Sequence, residues 1–178
     1  EDRFIMMSTR NGVVKKTALA AFKNMRKKPI KAIVLDEDDD LIEAKLTDGT
    51  KKIILSTREG IACHFKESDC RTQGRVTRGC RGIRLSESDK VVAMSIVEES
   101  EDILVVTAKG MGKRSCVDDY RLTKRGAKGV RNIKLKEDDY VVEVMMIEDT
   151  DEIIMTTMEG LMVRISAEPI RSLGRASQ

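Results

Sequence analysis

A column of glycines recurs about every fifty residues through this 178-residue chain, and it decides most of what the chain can fold into. Gly12, Gly60, Gly110 and Gly160 each follow a threonine by three positions: Thr9, Thr57, Thr107 and Thr157. Other columns keep the same register. Ile33, Ile83 and Ile133 align, as do Leu35, Leu85 and Leu135, then Asp39, Asp89 and Asp139, then Ile53, Ile103 and Ile153. The first repeat is shorter by two residues, and the fourth stops about halfway, at Gln178. Self-similarity at such a period marks stacked units that bury a core only against their neighbours. The repeats run over about 3–52, 53–102, 103–152 and the incomplete 153–178.

Each repeat reads as strands. "IILSTREGIACHF" holds two β-type runs around an E-G turn, and "STRNGVV" carries the stronger N-G turn, where glycine permits a positive φ. After the last turn, Leu161, Val163 and Ile165 alternate with Met162 and Arg164, the period of a strand. "IRL" or "IKL" predicts a third strand, and "KVVAMSIV" or "YVVEVMMI" a fourth. Four strands per repeat of this length predict an all-β, propeller-like stack of blades, here about three and a half. Only "TALAAFKNMRKK", Thr17 to Lys28, could turn as a helix.

The net charge of +3 conceals a strong segregation. Thr107 to Leu135 holds nine basic and two acidic residues, and Lys136 to Met155 one basic and eight acidic. The second repeat behaves likewise. The basic residues also keep register. Four positions after the glycines stand Lys16, His64, Arg114 and Arg164, with Lys15 and Lys113 beside two of them and Lys66 later on the second repeat's strand. Arg71, Arg121 and Arg171 form the next column, then Arg75, Arg125 and Arg175. In the connections, Lys28, Arg78 and Lys128 align, then Lys31, Arg81 and Arg131, then Arg84 and Lys134, with Lys124 nearby. Gly79 and Gly129 share a column that Pro29 fills in the first repeat. A repeated polycation suits the phosphates of duplex DNA, and glycines would let the backbone approach them. On this reading these lysines and arginines, apart from Lys28 and Lys31, are candidate DNA contacts, and the acidic runs form a separate zone. A propeller-like scaffold for an acidic protein partner is the alternative.

Other chemistry finds little support. Cys63, Cys70, Cys80 and Cys116 have no metal-ligand spacing and read as reduced thiols. His64 is the one histidine, which argues against histidine-based catalytic or metal clusters and suits a neutral polar role. The run "DEDDD" lacks the calcium-loop pattern. Scarce aromatics argue against stacking on single strands. No apolar run reaches membrane-spanning length.

The succession "NGVVKKTAL", "EGIACHFKESDCR", "GCRGIRLSESDKVV", "GMGKRS" and "KGVRNIKL" resembles the C-terminal DNA-wrapping domains of DNA gyrase A subunits, with the sister domains of topoisomerase IV second. The resemblance covers essentially the whole chain. It implies a β-pinwheel in which neighbouring blades exchange strands. It also implies a non-catalytic module that wraps duplex DNA and presents a segment for strand passage. Gyrase then introduces negative supercoils, with ATP and Mg used elsewhere in the enzyme and no cofactor here. The implied partners are double-stranded DNA, the rest of gyrase A, and gyrase B, in the bacterial cytoplasm. Such domains commonly have about six blades, so the chain would run from about the third into the sixth. "TKRGAKG", Thr123 to Gly129, looks like the family's basic box, but its register places it in a later blade.

Overall fold

The computed structural model describes residues 3–24, 28–98 and 101–177. The first repeat supplies β1 (Phe4–Thr9), β2 (Val13–Ala18) and β3 (Leu41–Thr47). The second supplies β4 (Lys52–Thr57), β5 (Ile61–Lys66), β6 (Cys80–Arg81) and β7 (Val91–Val97). The third supplies β8 (Asp102–Thr107), β9 (Gly112–Cys116), β10 (Leu122–Thr123), β11 (Val130–Arg131) and β12 (Val141–Ile147), and the fourth β13 (Glu152–Thr156) and β14 (Met162–Ser166). The stretch expected to turn as a helix forms one 3-10 turn, Leu19–Phe22; its residues 25–27 lie outside the described residues.

All four hairpins close through one turn. The glycine N–H donates to the carbonyl of the threonine three residues earlier, at 3.0 Å each time. The threonine hydroxyl then accepts the N–H of Val13, Ile61, Met111 or Leu161 at 3.1–3.3 Å. Within these turns only the glycine is left-handed, with φ of 83°, 79°, 77° and 81° along the chain. The two-residue N-G turn suggested by the sequence would need the preceding residue left-handed too. It is not, so the turn is a wider one ending in a glycine bulge. The aspartate column explains itself here. Asp39, Asp89 and Asp139 accept the N–H of Asn11, Glu59 and Lys109 at 2.8, 2.9 and 3.1 Å.

The first two sheets each draw strands from the following repeat. The first runs β3-β1-β2-β6, its last strand coming from the second repeat, with Val14 opposite Cys80. In the second, β7-β4-β5 is completed by β10 and β11 of the third repeat, one parallel and one antiparallel to β5. The third sheet is β12-β8-β9, and the fourth β13-β14. The expected third strand at "IRL" and "IKL" is corrected: the paired residues lie just earlier, at Cys80–Arg81 and Val130–Arg131. The reason is a bend. The Gly12 carbonyl accepts both Gly82 and Ile83 N–H, at 2.8 and 3.3 Å, and Gly60 accepts Asn132 and Ile133 at 2.7 and 3.4 Å. The connection thereby docks on its neighbour's turn instead of extending a ladder.

Three apolar seams fill the spaces between sheets. Met6 and Val14 meet Ile53, Leu55 and Phe65 in the first; Ile54 and Ala93 meet Ile103 and Val105 in the second; Leu104 and Ile147 meet Ile153 in the third. A middle sheet is therefore buried on both faces, and β4 is buried from Ile53 to Thr57. The alternation expected after Gly160 is not matched by one-sided burial, because Leu161, Met162 and Val163 are all exposed. β3, β7 and β12 pack side by side, with Met94 N–H donating to Glu43 at 2.7 Å and Ser95 Oγ to the Val144 carbonyl at 3.4 Å. These strands are innermost, which leaves β6, β10 and β11 outermost.

The docking step can be isolated by substitution. A Cβ on Gly60 would lie 3.0 Å from Ile133 Cγ2 and 3.1 Å from its carbonyl, whereas one on Gly110 meets nothing within 4 Å. Both positions carry the same left-handed strain, roughly 1–2 kcal/mol. Gly60→Ala should therefore lower the urea midpoint clearly more than Gly110→Ala; equal losses would mean that the docked contact is slack.

Candidate nucleic-acid interface

The outer connections leave β5, β9 and β14 and carry most of the predicted cations. Lys66, Arg71, Arg78, Arg81, Arg84, Arg121, Lys124, Lys128, Arg131, Lys134, Arg164 and Arg171 are exposed, as are Lys28 and Lys31. Arg75, Arg125 and Arg175 are half-buried. Among the described residues, only Arg78 and Arg164 of this set are ion-paired, Arg78 with Asp36 at 2.9 Å and Arg164 with Glu152. The others present a row of free charge along the outermost strands and their loops.

Four predicted contacts are corrected. Lys15, Lys16, Lys113 and Arg114 lie on β2 and β9 but are 0%, 7%, 1% and 8% exposed. Their heads serve the seams. Lys15 Nζ donates to the carbonyl of Ala32 at 2.7 Å and to that of Arg75. Lys113 Nζ donates to Asn132 at 2.5 Å, to Gly174 at 3.4 Å and to Arg175. Each lysine thus joins its own repeat's connection to that of the next. Lys16 Nζ reaches the Glu67 carbonyl at 3.4 Å and sits 5.1 Å from the Phe4 ring centre. Arg114 binds Asp102 at 2.7 Å, Asp149 at 2.6 Å and the Ala167 carbonyl at 3.3 Å. The error has a physical origin: strands sandwiched between blades have no solvent face to which a charged column could point. His64 shares that burial. Its Nδ1 donates to the Tyr120 carbonyl at 2.8 Å, and burial holds its pKa below the usual histidine value, favouring the neutral ring.

Two other columns have seam roles. Arg125 Nε and Nη1 donate to the carbonyls of Asp69 and Arg81 at 2.9 and 3.1 Å. Arg175 repeats this on Asp119 and Arg131 at 3.0 and 2.5 Å. Both staple one repeat to the preceding one while remaining half-exposed. Gly79 and Gly129 face inward rather than outward. A Cβ there would meet the Val14 or Ala62 carbonyl at 2.6 or 2.5 Å, so they permit the exchanged strand's close approach.

The acidic turns occupy two zones, not one. Asp36 to Asp40, Glu87 to Asp89 and Glu137 to Asp139 precede β3, β7 and β12, whereas Asp48, Glu98 and Glu148 to Asp151 follow them. Negative charge therefore rims both ends of the inner strands, and positive charge holds the outer edge. Sequence reasoning missed how Arg10 and Arg58 join the rim. Arg10 pairs with Asp40 at 2.7 Å, and Arg58 stacks 3.5 Å from the Tyr140 ring centre. Their shared place two residues before the glycine was the available signal.

Burial lowers the Lys113 pKa to about 8, with Arg175 adding to the shift. The unfolded chain then holds more protons between about pH 8 and 10.5, so this group's contribution to stability rises with pH across that window. Lys113→Met keeps the stem but strands three carbonyls, a loss of about 1–3 kcal/mol. Urea unfolding should show the wild-type advantage at pH 7 and a larger one at pH 10; a gap that narrows would mean that the carbonyl contacts outweigh burial and hold the Lys113 pKa up.

The family model for the DNA gyrase C-terminal domain, beta-propeller, matches residues 3–48, 51–98, 101–148 and 151–178. The DNA gyrase A subunit of Haloquadratum walsbyi is 45% identical over 84 residues, 47% of this chain and 10% of that one. Its counterpart in Haemophilus influenzae is 40% identical over 84 residues, with the same 47% and 10% coverage. The chain spans about a tenth of the length of the curated relatives it matches. Among solved structures, the C-terminal domain of DNA topoisomerase IV superimposes with a TM-score of 0.93 at 31% identity, over 98% of this chain and 55% of the other. A DNA gyrase A C-terminal domain gives 0.89 at 26%, over 99% and 59%.

Proposed function

The chain belongs to the DNA gyrase C-terminal domain, beta-propeller family, and from that premise we propose that its outer edge binds and wraps duplex DNA without sequence preference. The observation that carries this is the exposed cation row, repeated on the outermost connections, while the densest acidic runs lie at the ends of the inner strands. Lysine and arginine neutralise phosphates and release counterions, a term indifferent to base sequence. A curved row favours bending, whose cost depends only on deformability. In the parent enzyme the module presents a DNA segment for strand passage, and gyrase introduces negative supercoils. Cleavage and ATP hydrolysis, with Mg, belong to the rest of gyrase A and to gyrase B, in the bacterial cytoplasm. The module itself takes no part in DNA cleavage or ATP hydrolysis.

Duplex titration at two salt concentrations tests the binding. Log K should fall by about 0.9 per phosphate contact for each log unit of salt. Lys128→Ala and Arg131→Ala should each reduce that slope by about 1, uniformly across sequences. Lys113→Met should leave it unchanged wherever the variant is folded. No duplex binding at low salt would overturn the reading and favour the scaffold for an acidic protein.

Wrapping needs a separate measurement. A plasmid relaxed by a nicking-closing enzyme while the chain is bound should show a shifted linking number, and an unshifted one would mean binding without wrapping. The higher identity and TM-score of the topoisomerase IV domain support a second reading, in which the module selects DNA segments without driving supercoiling. Supercoiling of relaxed plasmid by the full parent enzyme, or only relaxation and decatenation, separates the two.

A further inference from the structure

In the second repeat two cysteines occupy columns that other repeats fill with bulky apolar residues. Cys70 aligns with Phe22, Tyr120 and Ile170, and Cys80 with Ile30 and Val130. Tyr120 and Val130 pack in one apolar seam, and Cys70 and Cys80 do so in the preceding seam. The strand exchange explains the meeting. The Lys16–Thr72 bridge and the Val14–Cys80 pair set both ends of the intervening loop on the same edge of β2. Those stations are two residues apart, about 7 Å along the strand. All four cysteines are free thiols, Cys70 fully buried and Cys80 half-exposed.

We propose that Cys70 and Cys80 are a redox-active pair that a hydroperoxide converts to a disulfide, closing the loop that carries Arg71, Arg75 and Arg78. The chemistry of the two sulfurs divides the roles. The neighbouring Cys70 sulfur, with Arg125 and Arg71, holds Cys80 below the usual thiol range against burial, and Cys80 Sγ lies 3.5 Å from the Val14 carbonyl. The Cys80 sulfur, with burial, pushes Cys70 far up. Cys80, the sulfur that solvent reaches, is the nucleophilic thiolate, and the fully buried Cys70 is the resolving thiol. The Cys80 sulfur attacks one peroxide oxygen, the O–O bond breaks, and the departing hydroxide is protonated to water. Cys80 is then a sulfenic acid. The Cys70 sulfur attacks it and expels the hydroxyl as a second water. The two thiols lose two electrons, and the peroxide gains them.

Mass mapping of the whole chain after hydrogen peroxide, under native conditions, tests this directly. Two of the four thiols should disappear, in a Cys70–Cys80 linkage that dithiothreitol reverses. The linkage should form faster at pH 7 than at pH 5, as a rising thiolate fraction requires. Cys80→Val, the third repeat's residue at this column, should abolish it, and Cys116→Ser should not. A linkage through Cys63 or Cys116, oxidation that stops at single thiols, or four surviving thiols would each overturn the proposal. Because the mapping is done on the native chain, it decides the question even if the valine variant fails to fold.

Discussion

The first two joints between repeats each depend on one carbonyl group. Gly12 and Gly60 each offer a turn oxygen that takes two consecutive N–H groups from the next repeat. The sharing bends the incoming chain, seats Ile83 or Ile133 beneath the turn and sends the preceding residues back along β2 or β5. A side chain at the glycine would meet that isoleucine, so the column must stay glycine wherever a following repeat docks. The left-handed φ and the close contact act on one atom position, which is why the glycine column is the clearest signal in the sequence.

Bending the chain also exposes a problem that the buried cations solve. Carbonyls of Ala32, Asn132, Arg75 and Arg175 turn away from regular ladders, where each would need a donor. An ammonium group brings three donors to one point, so Lys15 and Lys113 close the gap from beneath. The second repeat manages without a lysine. Cys63 stands in that column, its sulfur near the Gly82 carbonyl and the Thr123 hydroxyl. That replacement brings Cys63 into the same seam as Cys70 and Cys80, which makes this repeat the thiol-rich one.

The repeats, their all-β character and the outer cation columns were legible because each rests on a short local pattern. Thr-x-x-Gly closes its own turn, and the cations between Arg121 and Arg131 keep register with those of the second repeat. The strand exchange was not legible from pattern alone. A two-residue strand such as Val130–Arg131 has no period to detect, and only the family resemblance implied it. The burial of Lys15, Lys16, Lys113 and Arg114 was missed for a related reason. Charge at a strand position normally marks a solvent face, and that rule fails when both faces are seams.

The same exchange links the outer edge to the stability of the stack. Arg125 and Arg175 hold two carbonyls of the preceding repeat, yet they remain half-exposed beside Arg81 and Arg131. Under the proposed function, a polyanion lying across neighbouring connections contacts residues on both sides of a seam. A ligand that binds only the assembled arrangement stabilises it by mass action. DNA would then tighten the joints between blades as it binds, and the strongest coupling would fall at Arg125 and Arg175, where one guanidinium serves both the seam and the surface.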